Sequence, residues 1–360
     1  MRVLSRIWGR LHRNQSGQIA VLVGAMMTGL IGFSALAIDV GSLVSDKRDF
    51  QNAADAMALA GAIDLPDASA AVNSARAWAT KNGVELDQIE SISVCSSTPC
   101  AHGLNPEITV TLKRQHDYML ARVVGIESTD VTVGAAAIKT SPGGSDGIVP
   151  WSVLQSEIDG SDPGDLVVLK YDARDAENGD FGALSIDGTG ASTYEDTIQY
   201  GSDSVICSAA AVALGCVGTA PECDGAECWT EPGNMTGPTR TGVDYRVANT
   251  DPSCDEFGEV FTANDDGDFS IVQQCNPFVA GSLPSLRVVI VPIIDELCGG
   301  RCYVTIEGFA LFFLEGYGDG GCTGNYCEVE GRFVKADITT GAIRGVYDPD
   351  SLMHFIQLVE

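Results

Sequence analysis

The sequence predicts an α+β chain: an N-terminal transmembrane helix extended as a rod, then a small α/β unit, then a disulfide-stapled, β-rich extracytoplasmic domain. Three observations carry that reading. The run from Ile19 to Ile38 is uncharged over 20 residues, all 12 cysteines come after it, and beyond residue 140 helical periods give way to short strands set between Gly, Asp and Pro turns. The boundaries that follow are a basic segment 1–17, the helix 18–62, the α/β unit 63–140, a linker 141–147 and the β-rich domain 148–360. At 360 residues the chain is long enough for an anchor and one or two domains, each with its own core.

The apolar run is long enough to cross a hydrocarbon core of about 30 Å as a helix. Asp39 closes it, and Arg2, Arg6, Arg10 and Arg13 precede it with no acid among them. The positive-inside rule therefore puts the first residues in the cytoplasm and everything after Asp39 outside. A cleaved signal would carry an apolar core of roughly 7–15 residues and then a small-x-small site. Ser34-Ala35-Leu36-Ala37 offers such a site, but the core is longer and a helical pattern follows it, which favours a retained anchor. From Val40 on, Leu43, Val44, Phe50, Ala54, Met57 and Gly61 recur at three- and four-residue steps, one face of a helix. Alanine, the best helix former, crowds the same stretch at 53, 54, 56, 58 and 60. From Gln18 to Ala62 this makes one rod of about 65 Å at about 1.5 Å per residue. Gly24, Gly29 and Gly32 read in two ways, as places where a second helix approaches closely or as the ordinary glycines of membrane helices.

Three segments together carry a family resemblance: Ser16-Gly17-Gln18-Ile19-Ala20, Ala37-Ile38-Asp39-Val40-Gly41, and the long Asp49-Phe50-Gln51-Asn52-Ala53-Ala54-Asp55-Ala56-Met57-Ala58-Leu59-Ala60-Gly61-Ala62. They resemble the N-terminal module of TadE/TadG-like Flp/Tad pilus-assembly proteins, over roughly residues 14–62 with a looser echo to about residue 140. The resemblance implies a single-pass, membrane-anchored, pilin-like accessory role in a pilus or tight-adherence assembly rather than an enzymatic activity. Gly17 stands where a prepilin peptidase would cut, but the fifth residue on is Leu22 where prepilins carry Glu, so the uncleaved, TadG-like condition is expected. Many TadG-like chains also carry a von Willebrand A domain. Asp159-Gly160-Ser161-Asp162-Pro163 has Pro where that domain's metal motif needs its last Ser, and the domain is not assigned.

Charge and cysteine usage bound the partners. The formal net charge is −28, and with four Arg before Asp39 the remainder holds 17 basic against 49 acidic residues, a balance of −32. Such a polyanionic exterior argues against nucleic acid and anionic lipid headgroups as partners, since both need Lys and Arg. It suits a saline habitat, cation binding or a basic partner. The cysteines lie where disulfides persist. Sequential pairing gives Cys95–Cys100, Cys207–Cys216, Cys223–Cys228, Cys254–Cys275, Cys298–Cys302 and Cys322–Cys327, although spacing alone does not fix connectivity. Zinc, the rival, commonly uses Cys-x2-Cys units with His, and the chain has none.

Within the α/β unit, residues 70–81 read as a helix stopped by Asn82-Gly83, 89–94 and 108–112 as strands, 117–124 as a short amphipathic helix before Gly125, and 131–138 as a third strand. This helix–strand–strand–helix–strand order behind a rod is also how pilin-like subunits are laid out, a likeness at the level of fold only. Thr140 to Gly147 reads as a linker by composition. In the last part the clearest strands are 166–170, 205–206, 286–292, 303–314 and 328–338, pointing to a sandwich or barrel. Arg287 to Val291 is apolar enough to be buried on both faces, with Pro292 as its expected end. Gly179 to Leu184 and Glu231 to Thr239 look like segments that follow TadE/TadG-like N-termini in other surface proteins, and the Pro-Gly-Asn and Gly-Pro steps fix tight turns there.

No catalytic, cofactor or metal residue is assigned. The chain has no Gly-x-Ser-x-Gly elbow, no His-Glu-x-x-His and no phosphate loop. His102 and His116 show no obvious partner in sequence, and Glu195-Asp196 and Asp265-Asp266 read as solvated turns. Calcium is the one cofactor weighed: Asn264-Asp265-Asp266-Gly267-Asp268 has hard oxygen donors, but an EF-hand register would put Thr262 and Gln273 at its end positions, so a plain acidic turn is the reading. The expectation is therefore a structural envelope protein with the membrane and other pilus or envelope subunits as partners and no nucleic acid. The alternative is an anchor that only tethers an extracytoplasmic domain binding a surface ligand, glycan or cation; a tethered hydrolase is the third and weakest reading.

Overall fold

The computed structural model describes residues 16–97, 99–171, 182–264, 268–278, 284–298, 300–338, 343–349 and 351–359. Helix α1 (Ser16–Ile63) is continuous over 48 residues. Its apolar first part is bare, with mean hydropathy 2.1 and none of it buried against the rest of the chain, and among the described residues it is the one helix long and apolar enough to cross a membrane. The second part is no free rod. Phe50, Ala53, Ala54, Met57, Ala58 and Ala62 are buried in a core with Ala71, Ala75 and Ala79 of α2 (Ala68–Lys81) and with Ile108, Val110, Leu112, Val131 and Val133. The alanines are the reason the docking is close: small side chains let helix and sheet approach until Cβ atoms nearly touch. Val44, expected on the buried face, is exposed, because the docked stripe only becomes continuous from Phe50. Asp67 starts α2 by accepting hydrogen bonds from the amides of Ser69 (2.8 Å) and Ala70 (3.0 Å).

The strands in chain order are β1 (Ile89–Cys95), β2 (Glu107–Asp117), β3 (Ser128–Thr140), β4 (Pro142–Ser145), β5 (Val153–Leu154), β6 (Leu166–Lys170), β7 (Ile206–Cys207), β8 (Cys223–Asp224), β9 (Glu227–Trp229), β10 (Phe261–Ala263), β11 (Phe269–Ile271), β12 (Val288–Ile294), β13 (Tyr303–Thr323), β14 (Tyr326–Val334), β15 (Ala336–Ile338), β16 (Ile343–Arg344) and β17 (Met353–Val359). They form a sheet in the order β1-β2-β3-β17-β15-β11-β10, a second in the order β5-β12-β13-β14-β6 with β9 and β8 added on β13, and a small one in the order β16-β4-β7. The first two sheets share a core in which Ile290, Leu311 and Phe313 face Phe261, Ile338 and Phe355. On the other face of the second sheet, Val289, Val291, Ala310 and Phe312 pack with Trp151, with Tyr194 and Ile198 of α3 (Ala191–Tyr200) and with Val243 of α4 (Thr236–Asn249). Strand β12 is thus buried on both faces, as its unbroken apolar run predicts.

Several expectations change. Pro292 does not end β12; it lies inside it opposite Phe309, and pairing continues to Ile294. The segment 117–124 is not an amphipathic helix, because β2 runs on to Asp117 and only a single 3-10 turn, Ala121–Val124, follows. The stretch 328–338 is two strands in different sheets, split at Lys335. Residues 142–145, expected within a linker, are a buried strand between β16 and β7. Composition misleads there because Pro-Gly-Gly-Ser is small enough to fit where flanking backbones crowd it: a Cβ on Gly144 would lie 2.8 Å from the Ile206 carbonyl oxygen. The last strand, β17, returns to pair antiparallel with β3, from Phe355 opposite Thr140 to Val359 opposite Ala136. Six disulfides join the cysteines in sequential pairs and leave none free.

Candidate functional site at the junction of anchor and body

Strand β2 lies along α1 in the opposite direction. Gly61 is against Ile108, Phe50 and Asp46 are against Arg114, and Asp39 is against the turn that follows β2. The end of the β2–β3 hairpin is therefore at the level where the apolar run stops. Polar residues cluster there. Asp39, only 3% exposed, accepts hydrogen bonds from the backbone amides of Met119 (2.9 Å), Leu120 (3.1 Å to each oxygen) and Ala121 (2.6 Å). A carboxylate holding three successive amides does for this turn what an N-cap does for a helix.

One and two turns further along α1, Ser42 and Asp46 continue the contact. Asp46 binds the Arg114 guanidinium through one carboxylate oxygen and His116 Nδ1 through the other at 3.0 Å. The Arg114 guanidinium also lies 4.3 Å from the Phe50 ring centre, over its face. Its Nε is buried with no hydrogen-bond partner among the described residues, and the aromatic face beneath it supplies part of what that atom lacks. His116 Nε2 is 3.3 Å from Ser42 Oγ. On the outer side of the hairpin, the Asp130 carboxylate 3.0 Å away raises the Lys113 ammonium above its ordinary range, by hydrogen bond and by charge. Farther from the membrane, Gln51 Nε2 donates to the Gly134 carbonyl (2.8 Å) and Lys139 Nζ to the Ile63 carbonyl (2.8 Å), so α1 is fastened to β3 as well.

Ser42, His116 and Asp46 have the order of a nucleophile, a base and an orienting acid. The rest of such a site is not built here. The Ser42 hydroxyl donates to the Asp39 carbonyl at 3.0 Å, and the amides of Met119, Leu120 and Ala121 are already bound to the Asp39 carboxylate rather than free to hold an oxyanion. The arrangement fastens a helix to a hairpin.

The histidines do have partners, contrary to the sequence reading. His116 has those just described, and His102 Nδ1 is 3.0 Å from Glu107 Oε1, with Glu107 Oε2 accepting the His102 amide. Asp46 was not visible as a partner in sequence, because it is 70 residues from His116, whereas Glu107 is five residues from His102 and comes within reach only through the turn between them. Glu195 and Asp196 stand on α3 rather than in a turn, and Glu195 accepts from Gln199 at 3.2 Å. Ser161 Oγ donates to the Glu157 carbonyl (2.8 Å) and the Asp162 amide to Asp165 (2.9 Å), which makes 159–163 an ordinary turn. The acidic stretch 264–268 falls mostly outside the described residues; its flanks β10 and β11 form a hairpin closed by Asn264 N–H to Asp268 O at 2.7 Å. Residues 179–181 and the basic segment 1–15 lie outside the described residues too. Among the described residues no group of His, Cys, Asp and Glu is arranged to hold a metal ion. A cavity of about 290 Å³ opens where β4 meets β13, lined by small and polar residues including Ser141, Ser208, Glu307 and Asp348.

The residues that hold α1 in place are those of the motif-bearing stretch, and the comparison with known proteins singles out the same part of the chain. Residues 17–64 match the TadE/G-like Flp pilus-assembly family. The matched segment is α1 almost to its ends, the bare apolar part together with the docked part. No curated protein and no solved structure matches the chain. The TadE/G-like pattern has a structural meaning here. Phe50, Ala53, Ala54, Met57, Ala58 and Ala62 form the buried face, Gln51 reaches β3, and Gly61 admits Ile108 and α2. The TadE/G-like segment supports involvement in Flp/Tad pilus assembly, and among the described residues it holds the one helix long and apolar enough to cross a membrane.

Proposed function

We propose that the chain is a membrane-anchored, pilin-like accessory protein of a Flp/Tad-type pilus assembly, structural rather than catalytic, and needing no cofactor. One observation carries this reading. A TadE/G-like module runs unbroken from an exposed apolar span into a helix whose alanine face is locked to the folded body. Such a helix transmits force and orientation between membrane and body, because no flexible joint separates them. The cytoplasmic side is assigned to the N-terminus, since four Arg and no acid precede the span. With six disulfides beyond it, the body belongs in an oxidising compartment. Its partners are other pilus or envelope subunits. Gly24, Gly29 and Gly32 have open space around them, which leaves a second helix room to pack closely.

The test is affinity isolation of the tagged full-length protein from native membranes after mild cross-linking. Pilus-assembly components recovered with it support the reading; recovery of the protein alone, with the pilus unaffected by its deletion, overturns it. Intact mass from the same sample tells whether the chain starts at Met1 or at Gln18.

A further inference from the structure

We propose that the tip of the β2–β3 hairpin, residues 118–126, is a membrane-surface lip that inserts into the headgroup boundary beside α1 and fixes how the body stands on the bilayer. The proposal rests on reading 19–38 as a membrane span. Asp39 is the first residue after the apolar run, and its carboxylate holds the amides of Met119, Leu120 and Ala121, so the tip is pinned at the depth where the span emerges. The tip is also unusually apolar for a surface turn. Met119 is 71% exposed, Val123 87% and Ile126 53%, with Leu120 partly exposed beside them. Exposed apolar side chains gathered on one short turn mark a site of association rather than a solvated loop.

The occupant follows from continuity. The bare face of α1 next to the tip is apolar through Leu36 and Val40, so the lip extends a surface that already faces lipid. The charges at the tip are arranged for this. Arg122 pairs with Asp117 at 3.2 Å, which leaves that part of the turn without net charge. Tyr118 stacks edge-on against His116 at the root of the tip, the amphipathic residue type that headgroup regions favour. Gly125, at φ 88°, closes the turn in the left-handed region and sends the chain back into β3. The acidic exterior does not oppose this contact, because the lip offers apolar side chains to lipid rather than charge to a headgroup.

Tryptophan placed on the lip reads its surroundings. Full-length protein carrying Val123→Trp is reconstituted into phosphatidylcholine vesicles, with and without bromine on the acyl chains, and its emission is taken relative to the wild type, which has four tryptophans of its own. Leu104→Trp is the control. It changes an exposed residue just before the far end of β2, whose 11 residues span about 36 Å at about 3.3 Å per residue between it and the tip. The expected result is a blue-shifted Val123→Trp signal that brominated lipid quenches roughly twofold or more, as burial at the acyl boundary requires, with Leu104→Trp unaffected. Ile126→Trp gives an independent reading if the first variant folds poorly. A red-shifted, unquenched signal at both lip positions overturns the proposal. So does a blue-shifted signal that brominated lipid leaves intact, since another protein surface then covers the lip. Protein that fails to float with the vesicles overturns the membrane span as well, which separates the two failures.

Discussion

Gly61 carries the sharpest test of how α1 docks. A Cβ added there would lie 2.4 Å from Ile108 Cδ1, 2.8 Å from the Ala71 carbonyl oxygen and 3.3 Å from Ala75 Cβ. Ile108 and Ala75 are wholly buried, and the Ala71 oxygen is backbone inside α2, so none of the three has free room to retreat. Overpacking costs about 1–3 kcal/mol, and with backbone on one side and no room on the others the upper part of that range, about 2–3 kcal/mol, applies. Replacing Gly by Ala within a helix returns about 1 kcal/mol of propensity. The net is a loss of about 1–2 kcal/mol for Gly61→Ala, or a roughly 5- to 30-fold rise in local opening, since about 1.4 kcal/mol is tenfold. Gly41→Ala is the matched control on the same helix, with nothing within 4 Å of the added carbon, and only the propensity gain applies. Hydrogen exchange followed by mass spectrometry, read on peptides spanning residues 50–62 and 107–112 of the detergent-solubilised protein, reports the opening directly. Gly61→Ala is expected to speed exchange in both peptides, and Gly41→Ala to leave them unchanged or slower. Equal slowing by both substitutions would refute the claim that close approach, rather than helix propensity, governs the docked half of α1.

Three further outcomes follow from the same geometry. Burial, with the charges of Asp319 and Glu315, raises the Glu330 carboxyl above its ordinary range, so the folded chain keeps that proton longer than the unfolded chain does, and the fold loses stability as pH rises through the raised value. Glu330→Gln should therefore melt higher than the wild type at neutral pH, by about 1–2 °C for about 0.5 kcal/mol of relieved repulsion, with the difference gone below about pH 4; a difference that persists in acid refutes the assignment. Tyr194→Phe leaves the buried Trp151 Nε1, now 2.9 Å from the Tyr194 oxygen, without that acceptor, and should cost about 1–3 kcal/mol in urea unfolding. The double change Cys254→Ser and Cys275→Ser opens a bridge spanning 21 residues and should cost about 3 kcal/mol by the same measurement, against no change in a pair of exposed serine substitutions elsewhere.

Much of the anchor was legible because membrane spans and helices are local in sequence. Twenty uncharged residues between arginines and an aspartate need no tertiary information to be recognised. Neither does the alanine-rich face that follows, nor the double-sided burial of β12, whose run of apolar residues admits no solvent face. The cysteines paired in order because most of them are neighbours along the chain, within 4 to 9 residues of each other. What failed was punctuation. Pro292 and the Pro-Gly-Gly-Ser of β4 look like stops, yet both lie in paired strands, since proline loses only one donor and glycine fits where backbones crowd.

The sequence by itself determined that one helix is membrane-like, that it continues as a TadE/G-like module, and that the body beyond is rich in strands and disulfides. Only the tertiary structure decided what the module holds. Asp39 with residues 119–121, Asp46 with Arg114 and His116, and Gly61 with Ile108 are brought together by a strand laid antiparallel along the helix. The return of β17 to the edge of β3 likewise joins the two ends of the folded body in one sheet. Pairings across 47 to 82 residues or more leave no periodicity behind, and it is chain closure around a shared core that selects them.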